Sequence, residues 1–467
     1  MRIKISFFIL FFISTKLVLG QGLILSGKLL TTKDSLPISY GSIGIVNTYI
    51  GTISNESGDF QLKLPSKHNQ DTLVVSAIGY KSQKIAIPEL NQSSNQIIYL
   101  QAHTYSLNEV IVTNKKLSAK DILRACIKNI PKNYPTKKFS YEVFMREAGI
   151  LDSTYAMLTE SVANVLDYGY RSNIKKNRFQ LLEFRRSNDN RNFNWRTSLS
   201  EWLYEKNGLY ECVKNDRLKI KERNNNIENK EYYKTIAPGP HRFLCEDFLR
   251  QIDAKIDSLS YFNNQLIYCI SYTSTKGTHS TDCKGQIFID KSNKALLEVH
   301  SRTYINKERL RSLKKSDGTP KYKESTITDF ANLGFDGENY SKLILKYKKQ
   351  NNKYYLSYIR VQHNGTSSLG SVFSFNNFKK AYKSKWTSNM LYQDNELFVT
   401  KIHEKPVKIK WRKKMDRSKE LYKHELPYNK SFWNSYTTTI RNPLSKKMAS
   451  DLNHKQNLEN QFIENGK

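Results

Sequence analysis

Short runs of alternating apolar and polar residues fill the chain from residue 23 to about residue 100. Gly, Pro, Asn or Ser bounds each run, which is typical of β-strands separated by turns. The stretch DTLVVSAIGYKSQKIAI (Asp71–Ile87) predicts two strands that meet at Gly79, the first of them central because it is apolar on nearly both sides. One buried face is expected to carry the alternating residues Phe60, Leu62 and Leu64. Regular short strands of this kind predict a β-sandwich.

The apolar periodicity changes to that of a short amphipathic helix over residues 119–130. Its buried stripe is expected to contain Ile122, Cys126 and Ile130. Ser118 and Asp121 have the spacing of a capping box at the start of the helix. Pro131 is expected to end it, because proline has no N–H to donate within a helix.

Beyond this helix the pattern returns to long strands with charged residues at alternate positions. Such strands predict a large antiparallel sheet with one solvated face. Hairpin turns are expected around residues 291–293 and at Asn351-Asn352. The polar, basic stretches 171–197 and 219–234 predict long loops. The residues after Trp433 predict a short terminal helix.

The first twenty residues differ from everything that follows. Arg2 and Lys4 precede an apolar run, and the small residue Gly20 closes the segment. This order predicts a secretory signal peptide that is cleaved after Gly20. No later segment contains eighteen consecutive apolar residues, so no transmembrane helix is expected in the mature chain.

The chain is strongly basic, with 75 Lys and Arg against 43 Asp and Glu, a formal net charge of +32. Cleavage would remove Arg2, Lys4 and Lys16 and leave +29. In an exported protein this charge favours anionic partners such as lipid head groups or acidic glycans, or an envelope protein. No zinc-finger spacing or other nucleic-acid-binding motif is present, so nucleic acid is not an expected partner.

Five cysteines are widely spaced and include no Cys-x-x-Cys pair. A simple hairpin would place Cys269 opposite a residue near Ile287 and away from Cys283, which argues against a disulfide between the two cysteines. Buried free thiols are therefore the preferred interpretation.

Several motifs of the first 113 residues occur together and in order: Ser26-Gly27, Gly51-Thr52, Gly58-Asp59-Phe60, Ile78-Gly79-Tyr80 and Leu107–Thr113. This segment resembles the carboxypeptidase-regulatory-like domain, a transthyretin-like sandwich of seven strands, in the form found in envelope proteins of Bacteroides-type bacteria. The resemblance implies a folded interaction module. It brings no catalytic residues, because the chain has no His-x-x-Glu pair of the kind that holds zinc in the carboxypeptidases.

The second part of the chain resembles, more loosely, the half-barrel of periplasmic lipoprotein carriers, in which a Gly-x-Ile-x-Ile-Asp strand like Gly285–Asp290 precedes a hairpin. The predicted fold class is thus mainly β, with a transthyretin-like sandwich, a short linking helix and a large curved antiparallel sheet. The predicted divisions are a signal peptide (1–20), the sandwich (21–113), the linking helix (114–135), the antiparallel β domain (136–430) and a C-terminal tail or helix (431–467).

One stretch mixes aromatic and basic residues in a way that is suited to sugars or polyanions. Its candidate ligand contacts are Trp195, Arg196, Trp202 and Tyr204. The sequence predicts no catalytic residue, metal site or cofactor. The predicted function is a non-catalytic, exported cell-envelope protein, located in the periplasm or at the outer membrane, that binds an envelope ligand or partner. The alternatives are a hydrolase, or a carrier of lipid or polysaccharide that uses the C-terminal sheet.

Overall fold

A computed structural model describes the chain over residues 23–105, 117–189, 246–275, 281–312, 341–364, 391–409, 424–436 and 446–466. Within these ranges, residues 49, 91–94, 152, 170–176, 264 and 455 are not described. Between residues 312 and 341, the model describes only residues 314, 317–320 and 323–324. The predicted signal peptide lies outside the described residues.

The described chain is mainly β, which confirms the predicted fold class. The strands of its first part are β1 (Leu23–Thr31), β2 (Ser42–Ile45), β3 (Gly51–Ile53), β4 (Asp59–Leu64), β5 (Thr72–Ser76), β6 (Gln83–Ala86) and β7 (Gln96–Leu100). The later strands are β8 (Thr104–Tyr105), β9 (Phe139–Leu151), β10 (Thr154–Asp167), β11 (Arg178–Arg186), β12 (Ile252–Phe262), β13 (Gln265–Ser274), β14 (Thr281–Asp290), β15 (Leu296–Ile305), β16 (Ser341–Gln350), β17 (Lys353–Asn364) and β18 (Leu391–His403). The helices are α1 (Ala119–Asn133), α2 (Glu246–Gln251), α3 (Lys307–Ser312), α4 (Lys430–Ser435), α5 (Lys446–Asn453) and α6 (Leu458–Asn465).

The chain divides into two compact units. The sandwich unit contains the described residues up to His103, together with residues 262–263 and 430–436. The sheet unit contains the other described residues. Among the described residues, no helix is both long and apolar enough to cross a membrane.

The sandwich unit is built from a three-stranded and a four-stranded sheet. Their strand orders are β4-β1-β7 and β3-β2-β5-β6, and only the β1–β7 pair is parallel. Side chains of both sheets form one core, which includes Leu25, Phe60, Leu62, Leu64, Leu73, Val75 and Ile98. The predicted buried face of β4 and the central position of β5 are therefore both confirmed.

A segment from near the C-terminus belongs to the sandwich unit. The Lys63 Nζ group on β4 donates a hydrogen bond of 2.9 Å to the Asn434 carbonyl of α4. The rings of Phe432, Trp433 and Tyr436 pack on one another in and just after this helix. The unit is thus assembled from parts of the chain that lie more than 300 residues apart in sequence.

The sheet unit contains one open antiparallel sheet with strand order β11-β10-β9-β18-β17-β16-β15-β14-β13-β12-β8. Strands β11 and β8 lie at opposite edges of this sheet in the described chain. The two predicted hairpins are confirmed, since the β14–β15 turn contains residues 291–295 and the β16–β17 turn contains Asn351 and Asn352. Both of these asparagines have positive φ, as a two-residue hairpin turn requires.

Helix α1 begins at the predicted capping box. The Asp121 N–H donates to Ser118 Oγ, and the Ser118 N–H donates to the Asp121 carboxylate. The predicted end is wrong by three residues, because the helix continues past Pro131 to Asn133. Proline is tolerated here because it stands in the last turn, two residues before the helix ends. Lys353 Nζ donates a hydrogen bond of 2.6 Å to the Lys132 carbonyl at this end.

Helix α1 packs on one face of the sheet unit. The Tyr134 ring, just after the helix, lies 5.6 Å from the Tyr347 ring of β16, and Tyr134 Oη donates 2.8 Å to the Leu296 carbonyl. The predicted stripe of Ile122, Cys126 and Ile130 is buried. The helix therefore covers the apolar side of the central strands.

The loop predicted for residues 171–197 is wrong for Arg178–Arg186, which form the edge strand β11. Phe179, Leu181 and Phe184 are buried. A bulge at Leu182 breaks the period-2 pattern between Leu181 and Phe184, which hides the strand in the sequence. Arg185 is accommodated because Glu160 lies opposite it on β10.

Two C-terminal helices, α5 and α6, pack on β9 and β10 of the sheet unit. Their cluster contains Ala148, Leu158, Met448, Leu452, Leu458 and Phe462. The Arg185 guanidinium lies 4.8 Å from the centre of the Phe462 ring. The end of the chain thus covers one edge of the large sheet, at β9 to β11.

Candidate functional site

The candidate ligand contacts predicted from the sequence, Trp195, Arg196, Trp202 and Tyr204, lie outside the described residues. They remain a prediction. The described residues contain a different feature that combines charge with burial.

One face of the large sheet carries a row of charged side chains. Residues directly opposite each other on neighbouring strands point to the same side, so the register determines which side chains meet. Arg185, Glu160, Arg146, Glu396 and Arg360 are successive partners across β11, β10, β9, β18 and β17. We call this side the charged face; it carries Arg146, Glu160, Arg185, Glu298, Lys346, Tyr358, Arg360, Asp394 and Glu396.

Glu160 lies at the centre of the first group of ion pairs. Its carboxylate accepts a hydrogen bond of 2.7 Å from Arg146 Nε and another of 2.7 Å from Arg185 Nε. The Glu160 side chain is fully buried, with 0% of its surface exposed. Burial alone would raise its pKa, but Arg185 and Arg146 outweigh burial and hold the pKa below the ordinary value.

The row continues on β18 and β17. Arg146 Nη1 lies 3.9 Å from Glu396 Oε2, and Tyr358 Oη donates 2.8 Å to Glu396 Oε1. Arg360 binds both oxygens of Asp394, with distances of 2.9 Å from Nε and 2.6 Å from Nη2. Two parallel N–H donors on one carboxylate fix the planes of both groups.

A second group of ion pairs lies on β15 and β16. Glu298 accepts from Lys346 Nζ at 2.7 Å and contacts His300 Nε2 at 2.5 Å. Burial works against the charged form of Glu298, but Lys346 and His300 outweigh it and lower its pKa. Glu298 and Lys346 are both buried.

These arrangements correct one expectation. The sequence predicts that the alternate charged positions face solvent, whereas Arg146, Glu160, Lys346 and Glu396 are buried and paired with opposite charges. Desolvating a charge is costly, so Glu160 and Glu298 persist as anions because cations meet them in this register. Charged residues inside otherwise apolar strands, as in VFMREAG and MLTESV, are the sequence signal for this face.

Farther along the same face, three cations occupy one line across adjacent strands. Lys284 of β14 lies opposite Arg302 of β15, which lies opposite Lys342 of β16. Arg302 is exposed, and Lys284 and Lys342 are half-buried. We call these three residues the cationic row. The next opposite pair on the same side of the sheet is Gln286 and His300, two residues along the strands from Lys284 and Arg302.

The thiols of Cys126 and Cys269 do not have the properties of nucleophiles. Burial raises the pKa of the Cys126 thiol to about 12 and that of the Cys269 thiol to about 11. Cys126 and Cys269 are free and buried, as predicted. Cys269 lies opposite Phe288, next to the predicted Ile287, so the β13–β14 register separates it from Cys283.

Among the described residues, no group of three or more His, Cys, Asp or Glu side chains is placed to hold a metal ion. Carboxylates of the charged face contact Arg, Lys, His or Tyr side chains. Such contacts stabilise the anions where they stand.

Comparison with known proteins identifies the first domain. Residues 25–112 match the model of the CarboxypepD_reg-like domain, which confirms the domain family predicted for this segment. The resemblance to the form found in Bacteroides-type bacteria stays a prediction. A search of curated proteins found no match to the chain.

Two solved structures are similar to most of the chain, at low identity. A LolA superfamily protein from Nitrosomonas europaea is 10% identical with a TM-score of 0.20, and the alignment covers 63% of this chain and 96% of that one. A DUF1329 family protein from Desulfovibrio piger is 8% identical with a TM-score of 0.22, with 61% and 94% covered. These TM-scores are too low to support an argument about function.

Proposed function

We propose that this chain is a non-catalytic, exported cell-envelope protein of the periplasm or outer membrane. The CarboxypepD_reg-like sandwich serves as an interaction module, and the basic sheet unit binds an envelope ligand or partner. The CarboxypepD_reg-like match to residues 25–112 supports the role given to the sandwich.

The observation that carries the proposal is the pairing on the charged face. A general acid needs a carboxyl pKa raised toward neutrality, and a nucleophilic thiol needs a lowered pKa. Here the pKa values of Glu160 and Glu298 are lowered, and those of Cys126 and Cys269 are raised. These shifts run opposite to those that a general acid or a nucleophilic thiol requires, and they favour a scaffold over a hydrolase that would use these groups in those two roles.

The charged face also favours a polar ligand over an acyl chain. A lipid tail prefers an apolar surface, whereas the side chains on this face are ions and a phenol, such as Arg146, Glu396 and Tyr358. The opposite side of the central strands is covered by α1 and its buried apolar stripe. The net charge of +32 favours an anionic ligand.

The proposal is tested by location and by binding. Source cells are fractionated and probed with an antibody to the chain, and the purified full chain is then sedimented with washed envelope fragments. We expect the chain in the periplasmic or outer-membrane fraction, and saturable co-sedimentation that salt weakens. Recovery from the cytosol, or turnover of ester, peptide and glycoside substrates above the blank, would contradict the proposal.

A further inference from the structure

Strand β7 forms one edge of the three-stranded sheet, and among the described strands it pairs with β1 alone. We infer that β7 of one copy of this chain pairs with β7 of a second copy in antiparallel orientation. The pairing joins two three-stranded sheets into one sheet of six strands about a two-fold axis. This inference deepens the proposed function and rests on it, because it names a second copy of the chain as a partner of the sandwich unit.

The backbone of β7 presents hydrogen-bonding groups on the side away from β1. The Thr32 N–H donates 3.0 Å to the Leu100 carbonyl, so Leu100 directs its backbone groups toward β1. In a β-strand the N–H and C=O of one residue point to the same side, and those of the next residue point to the other side. The N–H and C=O groups of Ile97 and Tyr99 therefore point outward, to the edge that no described strand occupies.

The side chains of the same two residues are exposed. The exposed fraction is 60% for Ile97 and 46% for Tyr99, whereas Ile98 and Leu100 are buried in the sandwich core. At Ile97 and Tyr99 a single copy thus leaves both backbone groups and large apolar side chains in solvent. An edge of this kind is a template for pairing with another chain.

The other edge strands of the sandwich unit carry features that oppose pairing. Native sheets protect their edges with charged residues, very short strands or a covering helix. Strand β6 contains Lys84, β3 has only three residues, and Lys63 of β4 donates to the Asn434 carbonyl of α4. Strand β7, with the sequence QIIYL, has no charge, no proline and no bulge in its register. Among the described edges of this unit, β7 is the one suited to receive another strand.

A two-fold axis beside Ile98 makes β7 complementary to itself. In antiparallel orientation, Ile97 of each copy lies opposite Tyr99 of the other copy. Both are hydrogen-bonded pairs that exchange two N–H···O bonds each, so four backbone hydrogen bonds join the copies. Each pair combines an aromatic with a β-branched side chain, which stabilises an antiparallel sheet. The same strand therefore supplies both halves of the interface.

The charge of the sandwich region permits two copies to meet there. Residues 23–105 contain six Lys and five Asp or Glu, a formal net charge of +1. Arg2, Lys4 and Lys16 account for +3 of the total of +32, which leaves +28 on residues 106–467. Contact between two sandwiches thus avoids the repulsion that contact between two strongly basic regions has. A near-neutral, apolar edge also favours a second copy over an anionic partner.

The size of the interface sets the expected affinity. Stable interfaces bury about 1,200–2,000 Å² in total, and a strand of five residues contributes less than this. We expect a reversible dimer with a dissociation constant of about 10–100 μM. Sedimentation velocity of the full chain, from well below to well above this range, measures the constant.

Two variants test whether the edge itself forms the dimer. Ile97→Lys puts a charge on the edge and removes the β-branched member of both pairs, so the dissociation constant should rise about tenfold or more. Ile24→Lys is the matched control, because Ile24 is 46% exposed on β1, the central strand of the same sheet. This variant is expected to dimerise like the wild type.

Hydrogen exchange of the wild type tests the pairing without a substitution. The Ile97 and Tyr99 amides point outward, so they exchange readily in a single copy and become protected when β7 pairs with β7. The peptide that contains β7 should therefore take up about two fewer deuterons at high than at low protein concentration. A peptide that contains β6 should take up the same amount at both concentrations.

The outcomes separate this inference from the proposed function. A single copy at every concentration, equal weakening by Ile97→Lys and Ile24→Lys, or growth into larger oligomers would overturn the β7 pairing. Protection of the Ile97 and Tyr99 amides at every concentration would also overturn it, because another segment of the chain would then cover the edge. In each case, co-sedimentation with envelope fragments would leave the proposed function standing, whereas enzymatic turnover would overturn that function.

Discussion

Glu160 is a fully buried carboxylate between two guanidinium groups. Its position within an apolar strand is visible in the sequence, but its partners are not. Arg146 precedes it by 14 residues and Arg185 follows it by 25. Arg146 and Glu160 are opposite residues of the β9–β10 hairpin, whose register includes a bulge, and Arg185 lies beyond the longer connection to β11. The register of β9, β10 and β11 determines that the three side chains meet.

We predict that Glu160→Gln destabilises the chain by about 3–5 kcal/mol, because it leaves two buried guanidinium groups with one neutral amide. Urea denaturation followed by circular dichroism measures this loss. Glu324→Gln is the control, since Glu324 pairs with Arg311 in an exposed ion pair. Its denaturation midpoint should match that of the wild type. Equal effects of the two variants would contradict the role given to burial.

The same residue predicts an acid-sensitive stability. The folded-state pKa of Glu160 lies below its ordinary value of 4.5. Its stabilising contribution is therefore complete above about pH 4.5 and is lost as the pH falls through the folded-state pKa. Denaturation at a series of pH values from 7 to 3 should show a smaller acid loss in Glu160→Gln than in the wild type. If the free energy of unfolding fell equally with pH in both proteins, Glu160 would not contribute to the acid sensitivity.

Cys126 and Cys269 provide a second prediction at the residue scale. With pKa values of about 12 and about 11, almost none of either thiol is ionised at pH 8. Iodoacetamide should leave both unmodified in the folded chain and alkylate both in guanidinium chloride, as read by peptide mass spectrometry. Rapid alkylation of either thiol in the folded chain would show that its side chain is accessible.

At the scale of elements, local sequence is most informative where a few neighbouring residues decide the conformation. The capping box of α1 and the two-residue turn between β16 and β17 are of this kind. The end of α1 and the strand β11 depend on distant residues, Lys353 and Glu160 respectively. Local patterns therefore predicted the beginnings and turns better than the ends and edges.

The β16–β17 turn gives a prediction for an element. Asn352 has φ of 65°, a conformation that β-branched residues rarely adopt. Asn352→Val should cost about 1–2 kcal/mol of the free energy of unfolding. Asn352→Gly is the matched control and should change it little, because glycine adopts positive φ readily. Chemical denaturation compares the two, and equal losses would show that the asparagine side chain, not the backbone, matters.

At the scale of the whole molecule, late segments of the chain belong to units whose other residues lie far earlier in the sequence. Residues 430–436 belong to the sandwich unit, and α5 and α6 belong to the sheet unit. The predicted short terminal helix thus corresponds to two helices with a defined packing surface. A single sequence does not predict which strands a terminal helix packs against, because the apolar stripe of such a helix fits many apolar surfaces.

Phe462 tests this long-range packing. It is buried against the cluster that includes Ala148 and Leu158, and Arg185 lies over its ring. Phe462→Ala should cost about 3–5 kcal/mol, because it opens a cavity in that cluster. Ile463 is the neighbouring control, since its side chain is 41% exposed. Ile463→Ala should change the denaturation midpoint little, and a comparable loss in both variants would contradict the assigned packing.

The sequence by itself determined the β class, the sandwich with its domain family, the capping box of α1 and the positions of the hairpins. Each depends on neighbouring residues or on an ordered set of local motifs. Tertiary structure alone decided that charged residues of the long strands are buried as ion pairs and that Lys284, Arg302 and Lys342 stand in one line. The physical reason is register. Strands β9 and β18 are neighbours although about 250 residues separate them, and only their pairing sets which charges meet.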